Sequence, residues 1–203
     1  MARRHNPYAR PDHVTRDAKQ RGFPARSVVK LEEIDRRVRL LKPGQHVLDL
    51  GAAPGSWSKY AASRIGDHGR LLAVDLNPLA VALPPNASVR IGDIFATDLH
   101  DVSVFAPYDV VISDMAPKTT GTREADQARS FDLFMRALEI AADMLKNGGS
   151  FVGKIFMGPD FPAAKRAVKA RFATERTIRP EATRDTSFEI FLLGLGRIAP
   201  PKA

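Results

Sequence analysis

Four short apolar runs, each ending at or beside an aspartate and each followed by a turn or helix signal, constrain the fold of this 203-residue chain more than any other feature. They are His46-Val47-Leu48-Asp49-Leu50, Leu71-Leu72-Ala73-Val74-Asp75, Val89-Arg90-Ile91-Gly92-Asp93 and Tyr108-Asp109-Val110-Val111-Ile112-Ser113-Asp114. Such runs suit strands buried on both faces of a parallel sheet, and parallel strands need crossover connections, usually helices, between them. The helical signals are present. Leu31, Ile34, Val38 and Leu41 recur at helical spacing before the first run and stop at Lys42-Pro43-Gly44. Phe131, Phe134, Leu138, Ala141 and Leu145 form a second stripe closed by Asn147-Gly148-Gly149. A fifth strand is expected over residues 150–156, a basic helix over 161–172, and two further strands over 175–179 and 188–195. The pattern predicts a single α/β domain, doubly wound, over residues 1–203, with residues 1–25 as a basic N-terminal extension.

Charge is concentrated in two places. Residues 1–26 carry seven Arg or Lys against two Asp, residues 165–184 carry seven against two Glu, and the remaining 157 residues carry 17 basic against 19 acidic groups. Localised basicity suits a protein that grips a polyanion with part of its surface. The longest uncharged stretch, residues 76–89, is 14 residues long and is broken by Pro78, Pro84 and Pro85. A bilayer span needs about 18 or more apolar residues. No apolar segment follows the basic residues at the N-terminus, so no secretory signal is expected. Without cysteine there are no disulfides, thiolate metal sites, cysteine nucleophiles or prenyl anchors. The expectation is a cytoplasmic protein with no membrane partner and no metal centre.

The first run opens directly into Gly51-Ala52-Ala53-Pro54-Gly55-Ser56-Trp57 and a helical pattern through Tyr60, Ala61 and Ile65. Glycines at this turn let backbone approach a ligand closely, and the free amides of the helix start point to the same place. Asp75 lies 20 residues beyond Gly55, at the end of the second run, where an acid can accept hydrogen bonds from ribose hydroxyls. The loop has neither the Gly-Lys-Ser/Thr of a P-loop nor Gly-x-Gly-x-x-Gly, so a diphosphate is not expected. S-adenosyl-L-methionine carries a sulfonium and no phosphate, and it suits the edge formed by Asp49, Asp75, Asp93 and Asp114. The expected cofactor contacts are Gly51, Ala52, Pro54, Gly55, Trp57, Asp75, Asp93 and Asp114, with Trp57 equally suited to core packing.

Three motifs, in order, carry a family resemblance: Asp-Leu-Gly-Ala-Ala-Pro-Gly-x-Trp from Asp49, Asp-Met-Ala-Pro from Asp114 with Gly121 after it, and Phe151-Val152-Gly153-Lys154-Ile155-Phe156. The chain resembles the FtsJ-like RNA 2′-O-ribose methyltransferases over residues 17–195. The resemblance implies a Rossmann-like class I S-adenosylmethionine-dependent fold, with a seven-stranded, mostly parallel sheet, helices on both faces and the last strand antiparallel. It also implies methylation of a uridine ribose in large-subunit (23S) ribosomal RNA. The basic segments hold few aromatics, Tyr8, Phe23 and Phe172, which favours the assembled subunit over short naked RNA, and a monomer is expected. Three positions depart from the family pattern: Ser56 stands where a second glycine is usual, Lys118-Thr119-Thr120 follows Asp-Met-Ala-Pro, and Phe191 replaces a common tyrosine.

The resemblance further implies a Lys-Asp-Lys-Glu tetrad of Lys30, Asp114, Lys154 and Glu189, with Lys154 taking the hydroxyl proton and the others orienting it and the ribose. Ribose methylation needs such a base, because the oxygen must lose its proton as it attacks the methyl in line. Lys154 is the sharpest signal from the residues themselves, since a lysine inside a buried strand is rarely tolerated without a paired role. Taken alone, Lys30 reads as a surface lysine and Glu189 as an outward strand residue. A transfer-RNA ribose methyltransferase is the alternative within the same class. A donor-binding ribosome-assembly factor is disfavoured by the intact tetrad, and a nicotinamide oxidoreductase by the missing dinucleotide fingerprint.

Overall fold

The structure, a computed structural model, describes residues 13–96, 98–184 and 187–199. The elements run α1 (His13–Gln20), α2 (Val28–Val38), β1 (His46–Leu50), α3 (Ser56–Ile65), β2 (Arg70–Asp75), β3 (Ala87–Ile91), α4 (Leu99–Val102) and β4 (Tyr108–Ser113). They continue with α5 (Arg123–Met144), β5 (Leu145–Phe156), α6 (Phe161–Lys169), β6 (Phe172–Ile178) and β7 (Glu189–Arg197). The strands form one seven-stranded sheet in the order β3-β2-β1-β4-β5-β7-β6. All neighbours are parallel except around β7, which runs antiparallel to β5 and β6. Strand order reverses between β1 and β4, and ligands of open α/β sheets bind beyond the strand ends at such a reversal.

Alternation along the strands sorts the core into two layers. Leu48, Leu50, Leu72, Val74, Val111, Phe151 and Ile155 pack against α5 and α6. Val47, Ala73, Val110, Ile112, Val152 and Phe191 face the other way, against Leu31 and Ile34 of α2 and Trp57 and Ala61 of α3. Strands buried on both faces therefore carry apolar residues at most positions, as in the runs that end at Leu50, Asp75 and Asp114.

The third run departs from that expectation. β3 is an edge strand with Val89 and Ile91 exposed, and it ends before Asp93. No helix joins β2 to β3. Residues 76–86 instead form an irregular crossing, where three prolines withhold backbone donors, and Ala80 N–H donates to the Pro54 carbonyl at 3.0 Å. α2 stops at Val38 because Arg39 takes a left-handed conformation (φ 52°), so Leu41 is buried outside the helix with its N–H on Asp35 Oδ1 at 2.8 Å. α5 passes straight into β5: Leu145 pairs with Tyr108 and Ser150 with Val110, so residues 146–149 bulge between them. The basic helix ends at Lys169, and Phe172 opens β6. Within the basic extension, residues 13–20 form α1, which buries Ala18, while residues 1–12 lie outside the described residues. Among the described residues no helix is long and apolar enough to cross a membrane.

Candidate active site

Strand register brings the distant motifs together. Leu50 pairs with Val74 and Ser113, and Ser113 pairs with Gly153. The next residue in each strand or its exit is Gly51, Asp75, Asp114 and Lys154, so these four stand at one level across the sheet. Ala73, Ile112 and Val152 face the α2/α3 layer, and a period of two directs Asp75, Asp114 and Lys154 to that same side. On antiparallel β7, Phe191 pairs with Lys154 and Glu189 with Phe156, which adds Glu189 to this face one pleat further out.

Two ion pairs result. Lys154 Nζ donates to the Asp114 carbonyl at 2.5 Å and to Asp114 Oδ1 at 2.9 Å. Lys30, on α2, pairs with Glu189 Oε1. Side-chain exposures of 7% and 16% for the first pair and 12% and 13% for the second leave both largely buried, where ion pairs are screened less than at the surface. Lys30 reaches Glu189 because the start of α2 is anchored. Trp57 Nε1–H donates to the Ser27 carbonyl at 2.9 Å while its ring stacks on Phe191 with centroids 5.6 Å apart. Ser56 Oγ accepts the Ala25 N–H at 2.8 Å and donates to the Ala25 carbonyl at 3.1 Å. The serine at the unusual position of the glycine loop thus fastens the segment leading into α2.

The glycine loop is closely covered. Gly51 has φ +78°, and a Cβ there would fall 2.3 Å from Met115 Cγ, so only glycine fits. Gly55 has φ +108° and opens α3. Asp75 Oδ2 accepts the Ala53 N–H at 2.9 Å and its Oδ1 the Asn77 N–H at 2.8 Å, tying together the loops after β1 and β2. Asp93 is exposed beyond β3 and accepts the Phe95 N–H at 2.9 Å. Ala52 and Trp57, expected as cofactor contacts, bury their side chains in the α2/α3 core, leaving backbone alone at the loop. Pro54 is partly exposed beside them.

Asp49 differs from the other three aspartates. It lies inside β1, fully buried, with Oδ2 accepting from the Ser58 hydroxyl at 2.5 Å and Oδ1 without a hydrogen-bond partner. Burial pushes its carboxyl up to about 7 against the opposing pull of the Ser58 bond, and the Asp114 and Asp75 carboxylates add to the rise. A cation placed beside Gly51 offsets this concentration of negative charge.

Sequence reasoning did not pair Arg26 with Arg184. They line a cavity of about 380 Å³ beside Lys30 and Glu189, and Arg26 donates to the Ala182 carbonyl at 2.5 Å. Burial and the neighbouring Arg184 guanidinium lower Arg26 from its ordinary value. Both arginines belong to the basic segments, but 157 intervening residues conceal their proximity in the sequence.

Comparison with known proteins agrees with this geometry. Residues 23–197 match the model of the FtsJ-like methyltransferases. A Sorangium cellulosum protein named ribosomal RNA large subunit methyltransferase E is 60% identical over 197 residues, covering 97% of this chain and 93% of that protein. The protein of the same name from Bdellovibrio bacteriovorus is 49% identical, covering 92% and 96%. A Plasmodium falciparum structure described as a ribosomal RNA methyltransferase superposes with a TM-score of 0.77 at 22% identity, over 88% of this chain and all of that one. A TehB-like SAM-dependent methyltransferase from Corynebacterium glutamicum superposes at 0.55 with 17% identity, over 90% and 94%, which extends the likeness of fold. The family match spans the segment before α2 through the last residue of β7, and the chain belongs to the FtsJ-like methyltransferase family.

Proposed function

We propose that this methyltransferase transfers the methyl group of S-adenosyl-L-methionine to a ribose 2′-hydroxyl of RNA, at a uridine of large-subunit ribosomal RNA. The observation that carries the reading is the convergence of Lys154–Asp114 and Lys30–Glu189 on one sheet face, level with the glycine loop. The donor fits the residues present. Gly51 and Gly55 clear the loop of side chains, and Asp75, at the end of β2, would accept from the ribose hydroxyls of the donor. The buried Asp49 Oδ1 and neighbouring carboxylates complement a molecule bearing sulfonium and ammonium charges. When bound, the donor supplies an electrophilic methyl on sulfur and leaves as a thioether.

The remaining chemistry falls to the chain. Lys154 has three hydrogen-bonding positions at Nζ and Asp114 takes two, which leaves one for the substrate hydroxyl. To act as base, Lys154 first gives up the proton that makes it the cation of the Asp114 ion pair, and its free Nζ position then receives the proton of the ribose hydroxyl as that oxygen would take the methyl group. Asp114 then stabilises the resulting ammonium. Lys30 and Glu189, held together from α2 and β7, position the ribose from the other side. One chain supplies all four side chains, which supports a monomer, and a ribosomal RNA substrate supports a cytoplasmic enzyme. The relatives' names favour the large subunit.

Mapping ribose methylation at nucleotide resolution, in ribosomal RNA from cells with and without the protein, tests the reading. One protein-dependent 2′-O-methyluridine in the large-subunit RNA is the expected result. A position lost from transfer RNA instead would overturn the ribosomal substrate.

A further inference from the structure

Beyond the tetrad lies a second cavity of about 270 Å³ bordered by Arg123, Gln127, Phe156, Ser187 and Phe188. Ser187 lines this cavity and the one between Arg26 and Arg184, so the two adjoin at the residues leading into Glu189. Their chemistry differs. The first holds two guanidiniums suited to a phosphate; the second holds an aromatic ring. Phe188 is 45% exposed, an unusual state for a ring next to a buried ion pair, and the Arg123 guanidinium lies over it at 3.9 Å from the centroid. Met157 is also exposed, and its N–H donates to the Phe188 carbonyl at 2.8 Å. Unstacked bases dock on aromatic rings and on arginine planes, and here the two are layered into one platform.

We propose that the Phe188–Arg123 platform seats the base of the acceptor nucleotide once it has left its stack. The proposal rests on the ribose-methylation reading and extends it from sugar to base. With the ribose held at Lys154 and Glu189, the nucleotide has its phosphate and its base to place. The Arg26/Arg184 cavity takes the phosphate, and the adjoining platform is left for the base. An extruded base loses stacking energy on leaving the RNA, and a ring and guanidinium plane next to Glu189 return part of it where the hydroxyl must be aligned. Stacking reads the face of a base, so this platform fixes orientation, while the choice of nucleotide comes from the surrounding RNA.

The test compares wild type, Phe188→Ala, Phe188→Tyr and Arg123→Ala on undermethylated large subunits and on protein-free ribosomal RNA, with calorimetry of S-adenosylmethionine binding for each. Phe188→Ala should lower kcat/KM by roughly 5- to 100-fold on both substrates, the range found when base-stacking aromatics are truncated. Phe188→Tyr should restore it, Arg123→Ala should show a smaller loss, and donor affinity should not move. Wild-type rates from Phe188→Ala would overturn the proposal, as would a loss confined to whole subunits, which would assign the cleft to a ribosomal protein. Failure of the wild type itself to methylate either RNA would instead refute the underlying reading of the reaction, and this proposal with it.

Discussion

Lys154 and Asp49 sit on the same face of the sheet and illustrate opposite ways of burying a charge. Lys154 is compensated by a carboxylate and a carbonyl, whereas Asp49 has one hydroxyl and an unpartnered oxygen. Lys154→Ala should reduce methyl transfer by about 10²- to 10⁴-fold, the usual contribution of a positioned base, with S-adenosylmethionine affinity unchanged by calorimetry. Near-wild-type single turnover would remove Lys154 from the base role. Asp49 predicts a pH effect on stability. Its carboxyl titrates near 7 in the fold, against an ordinary value of 3.8, so the native state holds a proton that the unfolded chain has already released. The associated stability is full below pH about 4 and is lost as pH rises towards 7. Asp49→Asn should flatten that decline in urea melts between pH 5 and 7.5. An unchanged slope would place the buried proton elsewhere.

At the level of elements, the tetrad depends on how α2 is held, because Lys30 is the only member not supplied by the sheet or its exits. The anchor is the start of α3: Ser56 takes both backbone groups of Ala25, and Trp57 takes the carbonyl of Ser27. Replacing Ser56 with Gly, the residue usual in the family loop, removes two hydrogen bonds worth about 1 kcal/mol each. We expect Ser56→Gly to lower stability by about 1–3 kcal/mol in urea unfolding, once the lost conformational restraint of the helix start is included. KM for RNA should rise, since residues 25–30 carry both Arg26 and Lys30, while donor affinity holds. A variant with wild-type stability and KM would show that Trp57 alone suffices as the anchor.

For the whole molecule, the two basic segments do not form one continuous surface. Loop residues 179–184 meet α2, with Glu181 N–H on Glu33 and Arg26 on the Ala182 carbonyl, and so join the N-terminal basic segment. α6, with Lys165, Arg166 and Lys169, packs with α5 on the opposite face of the sheet, and Lys165 pairs with Glu175. Phosphate contacts should therefore come from residues 1–26 and 179–184, with little from α6. Each phosphate neutralised contributes about −0.9 to the slope of log affinity against log salt on duplex RNA-like substrates. Deleting residues 1–12, which removes Arg3, Arg4 and Arg10 but spares the buried Ala18 of α1, should flatten the slope by about 1 to 3 without altering donor binding. Charge reversal at Lys165, Arg166 and Lys169 should leave it unchanged. The reverse pattern, with α6 dominating, would move the RNA to the other face.

Local chemistry determined much of this protein in advance. Apolar runs placed β1, β2 and β4 to within a residue or so, because strands buried on both faces leave little freedom in residue type. The glycine loop was legible because Gly51 has no room for a side chain, and Lys154 because a lysine inside a buried strand needs a reason to be there. The run at residues 89–93 located β3 but not its place at the sheet edge, and the missing helix between β2 and β3 and the helix α1 were not legible, since partial exposure weakens the apolar pattern on which such readings depend. What only the tertiary structure decided is adjacency. Parallel register puts Asp75, Gly51, Asp114 and Lys154 at one level, the α2 anchor brings Lys30 to Glu189 across 158 intervening residues, and chain crossing separates α6 from the basic loop it precedes. Spacing along a chain records none of these distances, because hydrogen-bond register and layer packing set them only once the sheet has closed.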